Sequence, residues 1–182
     1  MEGFSDSLLE MHLKLYQGYV KNTNSLQDTL NKMVKDNTDD TIAYGALQRR
    51  FSWEYDGMVL HELYFENLGG NGHCERDLPI YQMIEEEFGS FSTFLATMRA
   101  TGLIKGVGWA ILYLGPKDHR LHVVWIDEHD TGHLAGGTPL LVMDVWEHAY
   151  ITEYGLNRSA YIESFLKNVD WHTVNSRLNY SK

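Results

Sequence analysis

Apolar side chains recur at helical spacing through the first part of the chain. Between residue 6 and about residue 35 they return every three or four positions, which is the pattern of an amphipathic helix. We expect one long helix here or a broken pair of helices. The polar stretch 36–40 then interrupts the pattern and supplies residue types that cap helices. Further helices are predicted at about 41–51, 55–68, 77–88 and 90–102.

The pattern changes to that of strands after residue 108. Residues 109–114 and 121–126 are apolar, β-branched and aromatic runs on either side of the turn Gly115-Pro116-Lys117-Asp118. Residues 139–143 predict a third, buried strand, and helical spacing returns from about residue 147.

These elements together predict an α+β fold. We expect an N-terminal antiparallel helical hairpin domain, followed by a small antiparallel three-stranded sheet packed with helices. The predicted domain boundary follows residue 75, which gives an all-helical domain over 1–75 and an α/β domain over 76–182.

Composition narrows the classes of function. Of the 182 residues, 43% are hydrophobic and 13% aromatic, which indicates a packed globule. The net charge of −10 argues against a nucleic-acid partner, because phosphate binding needs a basic surface. No apolar run reaches the roughly 18 residues that span a bilayer, so no membrane partner is expected. Residues 1–6 lack the features of an export signal, and the single Cys74 suits a reducing compartment, so we expect a cytoplasmic protein.

Nine histidines direct attention to metal chemistry, and the strongest candidate is the segment Asp144-Val145-Trp146-Glu147-His148. Asp144 ends the third predicted strand, and the chain folds back toward it by His148. Three imidazoles and one carboxylate suit iron or manganese, although the same donors can hold zinc in a hydrolase. Spacing alone also leaves open a capping Asp144 and an incidental His148.

The same segment resembles, letter for letter, the signature of the iron/manganese superoxide dismutases. The resemblance extends over about residues 8–180 and includes the second-helix motif at 57–68, although Leu60 replaces an asparagine and Phe65 a tryptophan. A histidine on an apolar face is by itself more often a hydrogen-bonded core residue. The resemblance implies instead that His61, Asp144 and His148 are metal ligands.

The fourth ligand requires a departure from the family pattern. Residues 16–24 resemble the family's His-x-x-Tyr-Val-x-Asn-x-Asn segment, and in most members a ligand histidine lies eight residues before that tyrosine. Here that position is Met11, whereas His12 lies seven residues before Tyr19. Seven residues are two helical turns, so His12 and Tyr19 would share a face. Our hypothesis is that the helix lacks a one-residue bulge and that His12 is the ligand; the alternative is a three-ligand site or none.

The resemblance also implies the surroundings of the metal. The family places a glutamine or histidine against the metal-bound solvent, and Gly57 cannot supply it from the second helix. We therefore expect His129 to contact the metal-bound solvent, with His133 as a weaker competitor. Tyr19 would close the substrate funnel and be linked through His129 to that solvent by hydrogen bonds. Trp109 and Trp146 would wall the cavity, although both would also suit simple core packing.

Glu147 carries a prediction about assembly. In the family this glutamate reaches across a two-fold interface to a ligand histidine. The resemblance therefore implies a homo-oligomer, and we expect a dimer with Glu147 bound to the partner subunit's His148. The alternative is a solvated glutamate at a helix N-terminus. A polar pair that members place across this interface is replaced here by Leu15 and Ile151, which suggests a changed substrate entrance.

The implied function is dismutation of superoxide, with one iron or manganese ion per subunit and iron slightly favoured. Because the chain is acidic, attraction of the anion must be local to the funnel, and the candidate cations are Lys14, Lys21 and Arg158. The alternative is a metal-binding or interaction protein that keeps the fold without turnover.

Overall fold

The structure, a computed structural model, describes residues 1–178 of the chain. No helix in this part combines the length and the apolarity needed to cross a membrane. In chain order the elements are α1 (Asp6–Lys35), α2 (Ile42–Glu66), α3 (Pro79–Phe88), α4 (Phe91–Gly102), β1 (Gly108–Leu114), β2 (Leu121–Asp127), β3 (Thr138–Asp144), a 3-10 turn (Glu147–Ala149), α5 (Ile151–Tyr154), α6 (Arg158–Lys167) and α7 (Trp171–Ser176).

The predicted helical hairpin is confirmed, and its first arm is one unbroken helix. The hydroxyl of Ser5 caps α1 by accepting a hydrogen bond from the backbone N–H of Leu8 at 3.2 Å. Tyr16 on α1 donates to Glu62 on α2 at 2.9 Å, and Asn22, further along α1, donates to Glu54, earlier on α2, at 3.2 Å. The two helices therefore run antiparallel.

The predicted break between helices at 41–51 and 55–68 is wrong, because α2 continues through it. The side chains of Arg50 and Glu54 form an ion pair at 2.6 Å across the expected break, and an opposite-charge pair four residues apart stabilises a helix. The consequence is a single helical face that runs from residue 50 to His61.

The three-stranded antiparallel sheet is also confirmed, in the order β2-β1-β3. Every residue of the central strand β1 is buried, which explains its continuous apolar run. Its first residues pair with the ends of both neighbours, so that Trp109 lies opposite Ile126 on β2 and Asp144 on β3. The register thereby brings Asp144, a predicted ligand, and Trp109, a predicted cavity residue, to the same end of the sheet.

Asn67, which follows α2, joins the helical hairpin to the sheet. Its side-chain oxygen accepts from the backbone N–H of Val142 at 2.9 Å, and its amide donates to the carbonyl of Val142 at 3.2 Å. The buried guanidinium of Arg177 adds hydrogen bonds to Asn67 at 3.2 Å and to the carbonyl of Leu140 at 2.7 Å. The division of the chain after residue 75 stays a prediction.

Candidate metal centre

Helix α1 brings His12 and Tyr19 to the interior on one face. Its buried residues follow alternating spacings of four and seven, as expected for a regular α-helix: Leu8, His12, Tyr19, Thr23 and Leu30. The side chain of His12 is 1% exposed and that of Met11 is 40% exposed. A regular helix thus turns the histidine inward and the neighbouring thioether outward.

Four side chains from distant parts of the chain converge beside the end of β3. The carboxylate oxygen Oδ2 of Asp144 lies 3.1 Å from Nε2 of His12, 3.0 Å from Nε2 of His148 and 3.7 Å from Nε2 of His61. One donor atom from each residue lies within 4.8 Å of every other. Donors that share one metal ion at about 2.1 Å lie roughly 3 to 4 Å apart, so small adjustments would complete a site.

The state of His61 tests whether these residues suit a metal. Its Nδ1–H donates to the carbonyl of Gly57 at 2.5 Å, which leaves a lone pair on Nε2. That Nε2 is buried and has no hydrogen-bond partner among residues 1–178. Burial lowers the pKa of His61 to about 3, so the ring stays neutral. A neutral, unpartnered imidazole nitrogen facing a carboxylate is the donor that a transition metal requires.

Asp144 is ionised, and hydrogen bonds fix both its side chain and its backbone carbonyl. Burial by itself would raise the pKa of this carboxyl, but the charge of His148 and the hydrogen bond from His12 outweigh it and lower the pKa below its usual range. Oδ1 accepts from the backbone N–H of Trp146 at 2.8 Å, and the backbone carbonyl accepts from the hydroxyl of Tyr161 at 2.7 Å. Tyr161 was not predicted, because its partner is a carbonyl and leaves no pattern in the sequence.

His129 and Tyr19 form a hydrogen-bonded pair beside these donors. The indole N–H of Trp109 donates to Nδ1 of His129 at 3.1 Å, and Nε2 lies 2.8 Å from the Tyr19 hydroxyl. Burial lowers the pKa of His129 to about 4, so the ring is neutral. Because Nδ1 accepts from Trp109, the one ring hydrogen resides on Nε2. His129 therefore donates to the oxygen of Tyr19, which leaves the phenol hydrogen free to point elsewhere.

The absence of a side chain at Gly57 creates the space for this pair. A Cβ atom at Gly57 would lie 2.8 Å from Cδ1 of Tyr19 and 3.2 Å from Cδ2 of His129. Both rings would have to shift to admit it. Gly57 on α2 and His129 on the loop after β2 are thus sterically matched.

Aromatic rings surround the candidate centre. Trp109 lies edge-to-face with His61 at 5.0 Å between ring centroids, and Trp146 stacks on His129 at 4.8 Å. Trp53 packs against His129 at 4.5 Å and was missed by the sequence analysis. It lies eight residues before His61 on the same face of α2. The predicted break at 51–55 put Trp53 outside both predicted helices, so this shared face was not foreseen.

The remaining predicted residues lie at the periphery. His133 accepts from the Tyr113 hydroxyl at 2.6 Å and donates to the carbonyl of His129 at 2.7 Å, so it anchors the loop instead of facing the ligands. Glu147 is exposed, and its carboxylate has no hydrogen bond or ion pair within residues 1–178. Ile151 is exposed, and Leu15 lies at the edge of a surface cleft.

Fold and donors together define an α+β protein whose three imidazoles and one carboxylate could hold a single metal ion. A family model described as iron/manganese superoxide dismutases, C-terminal domain, matches residues 76–177. The chain is 36% identical over 182 residues to an iron superoxide dismutase of Aquifex aeolicus, with 97% of this chain and 85% of that protein covered. It is 33% identical over 170 residues to a manganese/iron superoxide dismutase of Aeropyrum pernix, covering 92% and 78%. The chain belongs to the iron/manganese superoxide dismutase family.

Proposed function

We propose that this chain is a superoxide dismutase, which converts two superoxide anions and two protons to oxygen and hydrogen peroxide. The observation that carries the proposal concerns Nε2 of His61, which is buried and faces Asp144 among two further imidazoles but has no hydrogen-bond partner in residues 1–178. His12, His61, Asp144 and His148 would hold one iron or manganese ion. When bound, such an ion supplies the electron exchange by alternating between two oxidation states.

The protein would contribute the protons and the exclusion of bulk water. The reaction consumes two protons, and the neutral His129 with its hydrogen on Nε2 holds the Tyr19 hydroxyl at 2.8 Å. Because that nitrogen already donates to the phenol oxygen, the phenol hydrogen can turn toward an entering anion. Trp109 and Trp146 would wall the cavity and keep bulk water out of it.

The metal is the finer part of the proposal, and we favour iron slightly. Relatives are named for iron, for manganese or for both, including a manganese superoxide dismutase of Haloarcula marismortui that is 35% identical over 170 residues. Elemental analysis of the purified protein decides between the two. A site filled with zinc, with no superoxide decay, would support the hydrolase alternative instead.

Assembly is a further part of the proposal. A homodimer would join Glu147 to the partner subunit's His148, whose side chain is 21% exposed and faces Asp144 through Nε2. The Glu147 carboxylate is exposed and has no ion-pair partner in the described part of the chain, which supports this arrangement. Light scattering should give a dimer whose dissociation constant rises in Glu147→Gln, and a monomeric native protein would contradict it. We also propose a cytoplasmic location, which the lone buried Cys74 supports.

The central experiment compares His61→Gln with His172→Gln. His172 lies on the first turn of α7, and its side chain is exposed, so the second substitution is a matched control. His61→Gln should lower the bound metal well below one ion per chain and abolish superoxide decay measured by pulse radiolysis. His172→Gln should retain both. A metal-loaded native protein without activity would favour the non-catalytic alternative, and unchanged metal content in His61→Gln would contradict the site.

A further inference from the structure

A cleft between α1 and α2 leads from the surface to Tyr19. It has a volume of about 220 Å³ and is lined by Leu15, Gly18, Tyr19, Asn22, Arg50, Trp53 and Glu54. Tyr19 is a buried residue of this lining, and its hydroxyl is the group bonded to His129. An anion that reaches the candidate metal centre through this cleft passes these side chains, and Arg50 is the cation among them.

The cations predicted from the sequence do not serve this cleft. Arg158 donates to the carbonyls of Ile104 at 2.8 Å and Gly106 at 2.7 Å and to the Tyr150 hydroxyl at 3.2 Å, so its guanidinium anchors the chain before β1. Lys14 and Lys21 are exposed on α1 and do not belong to the lining of the cleft.

Acidic groups would otherwise repel an anion at this point. Glu54 is almost completely buried and faces the cleft, and Glu128 accepts from the indole N–H of Trp53 at 2.9 Å. The guanidinium of Arg50 binds Glu54 through Nε at 2.8 Å and through a terminal nitrogen at 2.6 Å. The Arg50 side chain is 51% exposed and that of Glu54 is 4% exposed, so the positive end of the pair faces solvent.

Arg50 is also linked through Trp53 to the hydrogen-bonded pair Tyr19 and His129. Its guanidinium lies 3.9 Å above the ring of Trp53, which packs against His129 at 4.5 Å and against Tyr19 at 5.6 Å between centroids. Burial raises the pKa of Tyr19, the charges of Asp144 and Glu54 add to the rise, and the charge of Arg50 opposes it. The charge of Arg50 therefore acts on Tyr19, which lines the same cleft.

We propose that Arg50 is the anion-guiding residue of this chain. It cancels the buried carboxylate of Glu54 and presents the outward positive end of the pair to a small anion entering toward Tyr19. For the function proposed above that anion is superoxide, so the inference rests on that function for its substrate. The electrostatic part stands on the cleft alone.

The first test uses the emission of Trp53 and needs neither metal nor turnover. Quenching of the purified protein by iodide, an anion, is compared with quenching by neutral acrylamide, and Trp53→Phe identifies the contribution of this ring. Arg50→Gln should lower the iodide-to-acrylamide ratio for Trp53 about threefold at low ionic strength. Arg49→Gln, which removes the same charge from the neighbouring exposed position, should leave the ratio near that of the native protein. Equal ratios in the two variants would overturn the proposal.

A double variant separates charge from damage to the fold. Arg50→Gln leaves a buried carboxylate without its cation, whereas Arg50→Gln with Glu54→Gln leaves no such charge. The double variant should recover at least half of the lost ratio. If it remains as low as Arg50→Gln alone, the loss is not electrostatic and the proposal fails.

The second test measures the rate constant for superoxide decay by the metal-loaded protein. Arg50→Gln should be slower than Arg49→Gln by about five- to tenfold at low ionic strength, and salt should shrink the difference. Equal rate constants, or a difference that salt leaves unchanged, would contradict guidance by Arg50. If no variant consumes superoxide, the proposed function fails, and the quenching ratios still decide whether Arg50 attracts anions.

Discussion

Replacing Gly57 with alanine should disturb the Tyr19–His129 pair directly. The added Cβ would lie 2.8 Å and 3.0 Å from two ring carbons of Tyr19 and 3.2 Å from a ring carbon of His129. Neither ring has free space, because Tyr19 stacks on His61 and His129 stacks on Trp146. The substitution therefore tests whether the missing side chain at position 57 is what makes room for His129 from the loop after β2.

The expected change in stability combines two opposing terms. Alanine in a helix interior gains about 1 kcal/mol over glycine, whereas overpacking a filled interior costs about 1 to 3 kcal/mol. Gly57→Ala should therefore lower the free energy of unfolding by up to about 2 kcal/mol. Gly45→Ala in the same helix is the control, because among residues 1–178 only its own helix backbone and chain neighbours come within 4 Å of the Cβ position. This variant should gain up to about 1 kcal/mol.

Urea unfolding of both variants measures these terms. The midpoint of Gly57→Ala should lie roughly 1 M below that of Gly45→Ala, given the usual dependence on denaturant for a chain of this size. Superoxide decay should slow on the order of tenfold in Gly57→Ala, because the hydrogen bond from His129 to Tyr19 would lengthen. Equal midpoints for the two alanine variants would refute the steric argument.

Three further predictions concern the groups around Asp144 and His129. Tyr161→Phe removes the donor to the Asp144 carbonyl and should lower the free energy of unfolding by about 1 to 2 kcal/mol in urea melts, and an unchanged midpoint would show that bond to be unimportant. The pKa of His129 is lowered from 6.5 to about 4, so the unfolded chain binds the extra proton first and stability should fall as pH drops through this range. In the metal-free protein His129→Gln should weaken that pH dependence, and an identical slope would contradict it. His133→Gln should lower stability by about 1 kcal/mol through loss of the bond to the His129 carbonyl, measured in the same way.

The sheet and the hairpin were predictable because each follows from a local pattern. The run at 109–114 is apolar throughout, and β1 is buried on both faces between two neighbours. The continuity of α2 was not predictable, because residues 51–55 are poor in strong helix formers. Their helix is held by the Arg50–Glu54 pair and by the packing of Trp53 against His129, which is a contact between distant parts of the chain.

In the candidate site, too, some residues could be predicted from the sequence and others could not. The four donors could be named from the resemblance, and the seven-residue spacing of His12 and Tyr19 indicated the face that they share. The binding partners of Tyr161 and Asn67 could not be predicted, because both side chains bind backbone carbonyls that any residue would present. Arg50 was not among the predicted cations, because the sequence does not show which residues of two separate helices line a cleft between them.

The regularity of α1 has a consequence for how this chain can vary. One residue inserted between His12 and Tyr19 would turn the later part of the helix by about 100° and advance it by about 1.5 Å. Tyr19 would then swing away from His129 unless the extra residue were absorbed locally in a π-bulge. An insertion between His12 and Tyr19 is therefore tolerable only together with such a bulge. Related chains with seven and with eight residues of spacing would differ by both changes at once, the inserted residue and the bulge.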